Sequence, residues 1–137
     1  TVMGDAVNLS SRLEGITKVY GVGIVVGEMT QLAAPEFAYR ELDRVRVKGK
    51  LEPVPIYEPI ARLSDLTDEM RVVIAQWHTA LSLVRTQFWD DAEQIIKSLY
   101  SAHPDDGLYL LYLERIAIYR AQPPGNDWDG VTTFDTK

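Results

Sequence analysis

Apolar and polar positions alternate along this chain with two different periods, and the change between them divides it in half. Leu9, Leu13, Ile16 and Tyr20 recur at about 3.6-residue spacing and predict an amphipathic helix. Ahead of it, Thr1-Val2-Met3 reads as the end of a buried strand, Gly4 allows a tight turn and Asp5 suits the N-cap. Gly21 and Gly23 break the helix, and Val22 to Val26 read as a short buried strand. Glu28 to Ala33 suit a short helix or turn, stopped by Ala34-Pro35. Phe37 to Lys48 predict a long strand, because Arg44, Arg46 and Lys48 alternate with Val45 and Val47 before Gly49 ends it. Val54 to Ile60 predict a last strand, with Pro53 and Pro55 marking its start as an edge. The result is an incomplete α/β unit, expected to leave a sheet edge in need of a partner.

After Ala61 to Thr67, read as a linker, the period becomes helical. Val73, Trp77, Ala80, Leu81 and Val84 define one side of a helix over Glu69–Thr86. Ala92, Ile95, Ile96 and Leu99 define a second, from Trp89 or Asp90 to Ala102, closed by His103-Pro104. A third helix over Asp106–Ala121 carries Leu108, Leu111, Tyr112, Arg115 and Tyr119. Pro123 to Gly130 read as a turn-rich tail, anchored on the helices by Trp128 and frayed at its end. The expected domains are therefore 1–60, a linker at 61–67, a helical part at 68–121 and a tail at 122–137.

Charge and composition narrow the function. The net charge of −6 argues against a general nucleic-acid surface, which needs clustered Lys and Arg. Lys and Arg number 7 against 8 Asp and Glu in residues 1–60, and 7 against 12 in residues 61–137, so the acidic excess lies in the helical half. With no cysteine there is no disulfide framework or thiol chemistry. His78 and His103 lack ligand-like spacing, so no metal site is expected from this chain alone. No apolar run approaches the ~18 residues of a membrane span. The chain opens inside an expected strand, without initiator methionine or leader, and is expected to be a fragment or to lack upstream sequence.

The candidate chemistry lies in the first helix. Asn8 and Arg12 are four apart and stack on one side of it, about a quarter-turn from the apolar stripe. A carboxamide and a guanidinium held there could clamp a charged, oxygen-rich ligand. Equally, Asn8 could share in capping and Arg12 could pair with Glu14 or face solvent. The whole string Gly4-Asp5-Ala6-Val7-Asn8-Leu9-Ser10-Ser11-Arg12 resembles the second half of a class III nucleotide cyclase catalytic domain. That family carries a Gly-Asp-x-Val-Asn-x-small-small-Arg helix after a central strand, and the likeness extends more weakly to about residue 60.

This resemblance implies an α+β fold: part of a ferredoxin-like cyclase catalytic fold, followed here by an α-helical extension. It implies that Arg12 contacts the phosphates in the transition state and that Asn8 orients the ribose. It places Thr1 at the purine, and Lys48 on the terminal phosphates from a mobile loop. Read from the residues alone, Lys48 is a solvated lysine at a strand end. The family's two metal aspartates and its base-reading lysine belong to the first half of the domain. Asp5 and Asp43 lie in the wrong motif contexts to replace them. Mg or Mn is therefore expected only in the intact domain, at a site shared between two copies, with ATP as substrate and this chain inactive alone.

Trp77 to Pro104 is similar to a tetratricopeptide helix pair, with small Ala80 and Ala92 and a proline at the usual place. One such pair cannot bury its own face, so these helices are expected to pack on the first sixty residues, on the third helix or on another chain. The tail is similar to extensions of bacterial cyclases with an upstream membrane-linked sensor, implying a cytoplasmic catalytic part of an anchored protein. Two other readings stand beside the enzyme: a degenerate cyclase-like regulatory or dimerisation domain, and a helical interaction module with an open apolar groove.

Overall fold

The computed structural model describes residues 15–47 and 52–134. The predicted strand end at residues 1–3, the Gly4 turn, the Asp5 cap, Leu9, Leu13 and the Gly49 stop lie outside these residues. Residues 15–20 are helical (α1) and bury Ile16 and Tyr20, as the apolar stripe requires. The strand read over Val22–Val26 shrinks to Val26–Gly27 (β1), whose two residues pair with Tyr57 and Ile56. Only Val25 of the preceding run is buried, and Ile24 is exposed. The short helix follows as Glu28–Ala33 (α2), then the long strand Phe37–Val47 (β2) and its antiparallel neighbour Val54–Arg62 (β3).

A 3₁₀ turn at Leu63–Asp65 leads to three helices, Asp68–Arg85 (α3), Trp89–Ala102 (α4) and Gly107–Ala121 (α5). Their starts have local causes. Thr67 caps α3 by accepting from the Met70 N–H at 3.1 Å, and Asp106 caps α5 by accepting from the Leu108 N–H at 3.1 Å. Asp90 and Asp91 fill the first turn of α4, where the helix dipole favours negative charge. Trp128 anchors the tail as expected, with its ring 6.2 Å from that of Trp89 and 5.1 Å from that of Tyr119. The end expected to fray, residues 135–137, lies outside the described residues. Thr132–Phe134 form a fourth strand (β4), parallel to β2 and paired with Val45–Val47. A strand of three residues carries too little pattern to be read from sequence; its pairing supplies the definition.

The sheet order is β1-β3-β2-β4. Its β2 bends at a bulge: Glu41 faces Tyr57 and Asp43 faces Ile56, leaving Leu42 without an opposite residue. The extra residue changes which side chains face inward. Ala38, Arg40 and Leu42 are buried before it, Asp43 and Val45 after it. One core joins α1, the sheet and the three helices, through Tyr20, Leu42, Val45 and Ile56 on one side and Trp77, Ile96, Tyr112 and Ile116 on the other. The helices therefore pack on the first sixty residues and on one another.

Where α1 ends, two backbones touch. A Cβ added at Gly21 would lie 2.8 Å from the Gly107 Cα, and one added at Gly107 would lie 3.0 Å from the Gly21 Cα. Gly21 also has a φ of +66°, the left-handed region that strains a side-chain-bearing residue by about 1–2 kcal/mol. Gly21→Ala is therefore expected to lower unfolding free energy by about 2 kcal/mol or more. Gly107→Ala, with collision but no such strain, should cost less. Urea denaturation of both variants checks the order.

Candidate functional site at the sheet and helix junction

The four residues assigned from the family motif, Thr1, Asn8, Arg12 and Lys48, lie outside the described residues. What the structure does describe is the framework adjoining them in the chain: the described part of α1 starts three residues after Arg12, and β2 reaches the residue before Lys48. Both elements meet at one buried carboxylate.

Asp43 follows the β2 bulge and is only 3% exposed. Its Oδ2 accepts from the Tyr20 hydroxyl of α1 at 2.5 Å, from Arg115 Nη1 of α5 at 2.9 Å and from the Thr132 hydroxyl of β4 at 2.6 Å. Its Oδ1 accepts from the Arg44 N–H at 2.8 Å. A charge taken out of water needs such pairing, because removing one partner of a buried ion pair typically costs about 3–5 kcal/mol. Arg115 also donates to the Tyr20 oxygen at 3.3 Å and lies over the Tyr20 and Tyr112 rings, 5.1 and 5.0 Å from their centroids. Burial, and next the Asp43 charge, push the Tyr20 phenol well above its ordinary value, so it remains a donor. Arg115 was placed on the inner side of its helix by the pattern; its partner could not be read, because the bulge that turns Asp43 inward has no signature in the local sequence.

The same helix grips β2 at successive turns. Arg40 is inserted between Glu58 of β3 and Asp106, donating to Asp106 Oδ2 at 2.7 Å and to the Glu58 carboxylate. Tyr112 donates to the Leu42 carbonyl at 2.6 Å. Residues 106, 109, 112 and 115 therefore form one stripe that follows the strand from Arg40 to Asp43. From α3, Trp77 Nε1 donates to the Glu41 carbonyl at 2.7 Å, the Glu41 N–H donates to His78 Nε2 at 3.0 Å, and Arg85 pairs with the Glu41 carboxylate at 2.8 Å. The edge of β2 away from β3 is thus met by α3 side chains at Glu41 and by β4 at Val45–Val47.

A concavity of about 470 Å³ among the described residues lies beside Arg40, between the turn after α1 and the turn before α5. Glu58, Asp105 and Asp106 line it against the single cation Arg40. That sign is wrong for a triphosphate, which needs an excess of positive charge. Among the described residues no group of three or more acidic, histidine or cysteine side chains could hold a metal ion, and no helix is long and apolar enough to cross a membrane. Asp43, already satisfied by a guanidinium, two hydroxyls and an N–H, does not fit a divalent cation either.

Comparison with known proteins gives this framework its relatives. No protein-family model matches the chain, and no solved structure matches it. Adenylate cyclases from three organisms are similar to it in sequence. The terminal-differentiation specific adenylate cyclase of Dictyostelium discoideum is 32% identical over 120 residues, 84% of this chain and 6% of that protein. An adenylate cyclase of Anabaena cylindrica is 52% identical over 62 residues, 42% of this chain and 12% of that protein. Adenylate cyclase 1 of Rhizobium meliloti (strain 1021) is 36% identical over 61 residues, 44% of this chain and 9% of that protein. With the mixed sheet and helices, these likenesses define a portion of a nucleotide cyclase catalytic domain. The similarity supports an adenylate cyclase fragment, and the chain spans between 6% and 12% of the length of these relatives. A continuous stretch holding 84% of the chain contains α3 and α4 wherever it is laid, so the likeness to the Dictyostelium protein reaches the helices as well as the sheet.

His78 makes part of this junction sensitive to acid. Burial lowers its pKa from the ordinary 6.5; Glu41 opposes this less strongly, and Arg40 and Arg85 add to it. Above about pH 6.5 the imidazole is neutral in both states and accepts from the Glu41 N–H. Below that value the unfolded chain takes up the proton first, so stability falls until the folded imidazole also titrates. The thermal midpoint should therefore drop between about pH 7.5 and about pH 5.5. His78→Gln, which keeps an acceptor but cannot titrate, should flatten the drop. Glu58, whose carboxyl burial pushes up, is common to both proteins and cancels in the comparison.

Proposed function

We propose that this chain is the part of an adenylate cyclase that supplies the transition-state side of the active site. In the intact protein the reaction converts ATP to cyclic AMP and pyrophosphate. The likeness to three adenylate cyclases carries this reading, together with the Gly-Asp-x-Val-Asn-x-small-small-Arg string in the same chain. The ribose 3′ oxygen attacks the α-phosphorus, the bond to the β-phosphate bridging oxygen breaks, and pyrophosphate leaves with the electron pair. Negative charge builds on the transferring phosphoryl group and the leaving group. Fixed cations and donors at those oxygens lower the barrier.

In this reading Arg12 donates to the phosphate oxygens through its planar fork, a geometry lysine cannot reproduce. Asn8 orients the ribose so that its 3′ oxygen lines up with the α-phosphorus. Thr1 contacts the purine and Lys48 the terminal phosphates. In this reading the carboxylates that hold the divalent ions lie in the first half of the domain, ahead of the Gly4–Arg12 string. The site is then completed by a second copy, and the protein works as a homodimer with this chain inactive alone. A helical module with an open apolar groove is not favoured, because the inward faces of α3, α4 and α5 share one core with the sheet.

The test is cyclic AMP formation from ATP with Mg²⁺ or Mn²⁺ by the full-length cyclase containing this chain. Arg12→Ala should lower kcat by about 10²-fold or more and raise KM by much less, since the contact strengthens as charge develops. Equal losses in both constants, or no loss, would count against the transition-state role. A full-length protein inactive with both metals, and with GTP also tried, would favour a regulatory domain.

A further inference from the structure

We propose that Asp43 is a positioning residue for the cyclase reaction, the group through which α1, β2 and β4 are fixed on α5. The inference rests on the cyclase reading above. Three hydroxyl or guanidinium donors from three different elements converge on one oxygen of this side chain, at 2.5, 2.9 and 2.6 Å. One donor, Tyr20, sits on α1, eight residues after Arg12. Another, Thr132, sits on β4, which pairs with β2 up to Val47, the residue before Lys48. The third, Arg115, belongs to α5 and ties the two together. No other carboxylate among the described residues accepts from three different elements at one oxygen.

Stability alone is a poor account of such a cluster. Apolar side chains of similar volume usually stabilise a core as well as a buried ion pair does. What the polar cluster adds is a single arrangement. If α1 slides or β4 lifts, Asp43 is left with a missing donor in a dry environment, where that loss is costly. The positions of α1, β2 and β4 are thereby tied to one another. Catalysis by orientation is sensitive to displacements of this size, since about 1 Å of misplacement can cost about 10²-fold in rate. Neither Tyr20 nor Thr132 needs to touch ATP for this to act.

Two mild substitutions remove a donor without removing the volume: Tyr20→Phe and Thr132→Val. They are made in the full-length cyclase, and kcat, KM for ATP and the thermal midpoint are measured. Each should lower kcat about tenfold, with KM within about twofold and the protein still folded. Glu93→Gln, at the exposed Arg120–Glu93 pair, should leave kcat unchanged. Double mutants supply the readout that a merely structural role would not move. The Tyr20→Phe loss should vanish in an Arg12→Ala background, and the Thr132→Val loss in a Lys48→Ala background. Folded variants with unchanged kcat, or losses that multiply independently of Arg12 and Lys48, overturn the positioning role while leaving the cyclase reading intact. A wild-type protein that makes no cyclic AMP overturns both. Should Tyr20→Phe fail to fold, the Thr132→Val cycle decides alone.

Discussion

The bulge at Leu42 is the constraint on which the rest of the structure depends. An extra residue in β2 turns Asp43 toward the core, and the Glu41 backbone groups and the Leu42 carbonyl reach the helices. Groups of this kind cannot be buried without partners. Each finds one on a helix: Trp77 and His78 from α3, Tyr112 and Arg115 from α5. The polar demands of a single irregular strand thus dictate which faces of the helices meet the sheet. Aromatic residues suit the task because each combines a large apolar body with one polar atom at its edge. Trp77 and Tyr112 pack ring to edge with centroids 4.9 Å apart while their heads reach adjacent carbonyls of β2.

This arrangement gives the helical extension a role in the fold itself. β2 is paired with β3 along most of its length, and among the described residues its opposite edge is met by α3 and β4. Open edges invite pairing with other chains. Here the edge is closed by parts of the same chain that lie far along the sequence. The likeness of the Dictyostelium cyclase across α3 and α4 fits a joint unit of sheet and helices. The tail is secured twice, by the Trp89, Tyr119 and Trp128 rings and by the Gly130 backbone, where an added Cβ would lie 2.8 Å from the Arg85 side chain.

The helices were legible in the sequence because their apolar residues repeat over many turns and their ends carry Thr67, Asp106 and His103-Pro104. β2 was legible for the same reason at period two. β1 was read too long and β4 not at all, since two or three residues cannot display a period and both strands exist only through their neighbours. The site divides along another line. Asn8 and Arg12 stand out by motif, whereas Asp43, Tyr20 and Thr132 carry no local signal. Their meeting depends on a bulge and on contacts spanning 23 and 89 positions. Arg115 gave half a signal: a charged residue on an otherwise apolar face implies a buried partner without naming it.

The parallel pairing of β4 with β2 also bears on the order in which the molecule assembles. Thr132 and Asp43 are separated by 89 positions, so their bond closes one of the longest loops in the chain. Closing a longer loop costs more chain entropy, and contacts between distant positions slow the approach to the native state. The β2–β3 hairpin and the α3–α4 hairpin bring together residues that are near in sequence and can form early. The last strand, whose pairing with β2 spans nearly ninety positions, is expected to form late. In a nascent or partly unfolded chain, the framework behind the expected nucleotide-binding segments would then be the last part to become rigid.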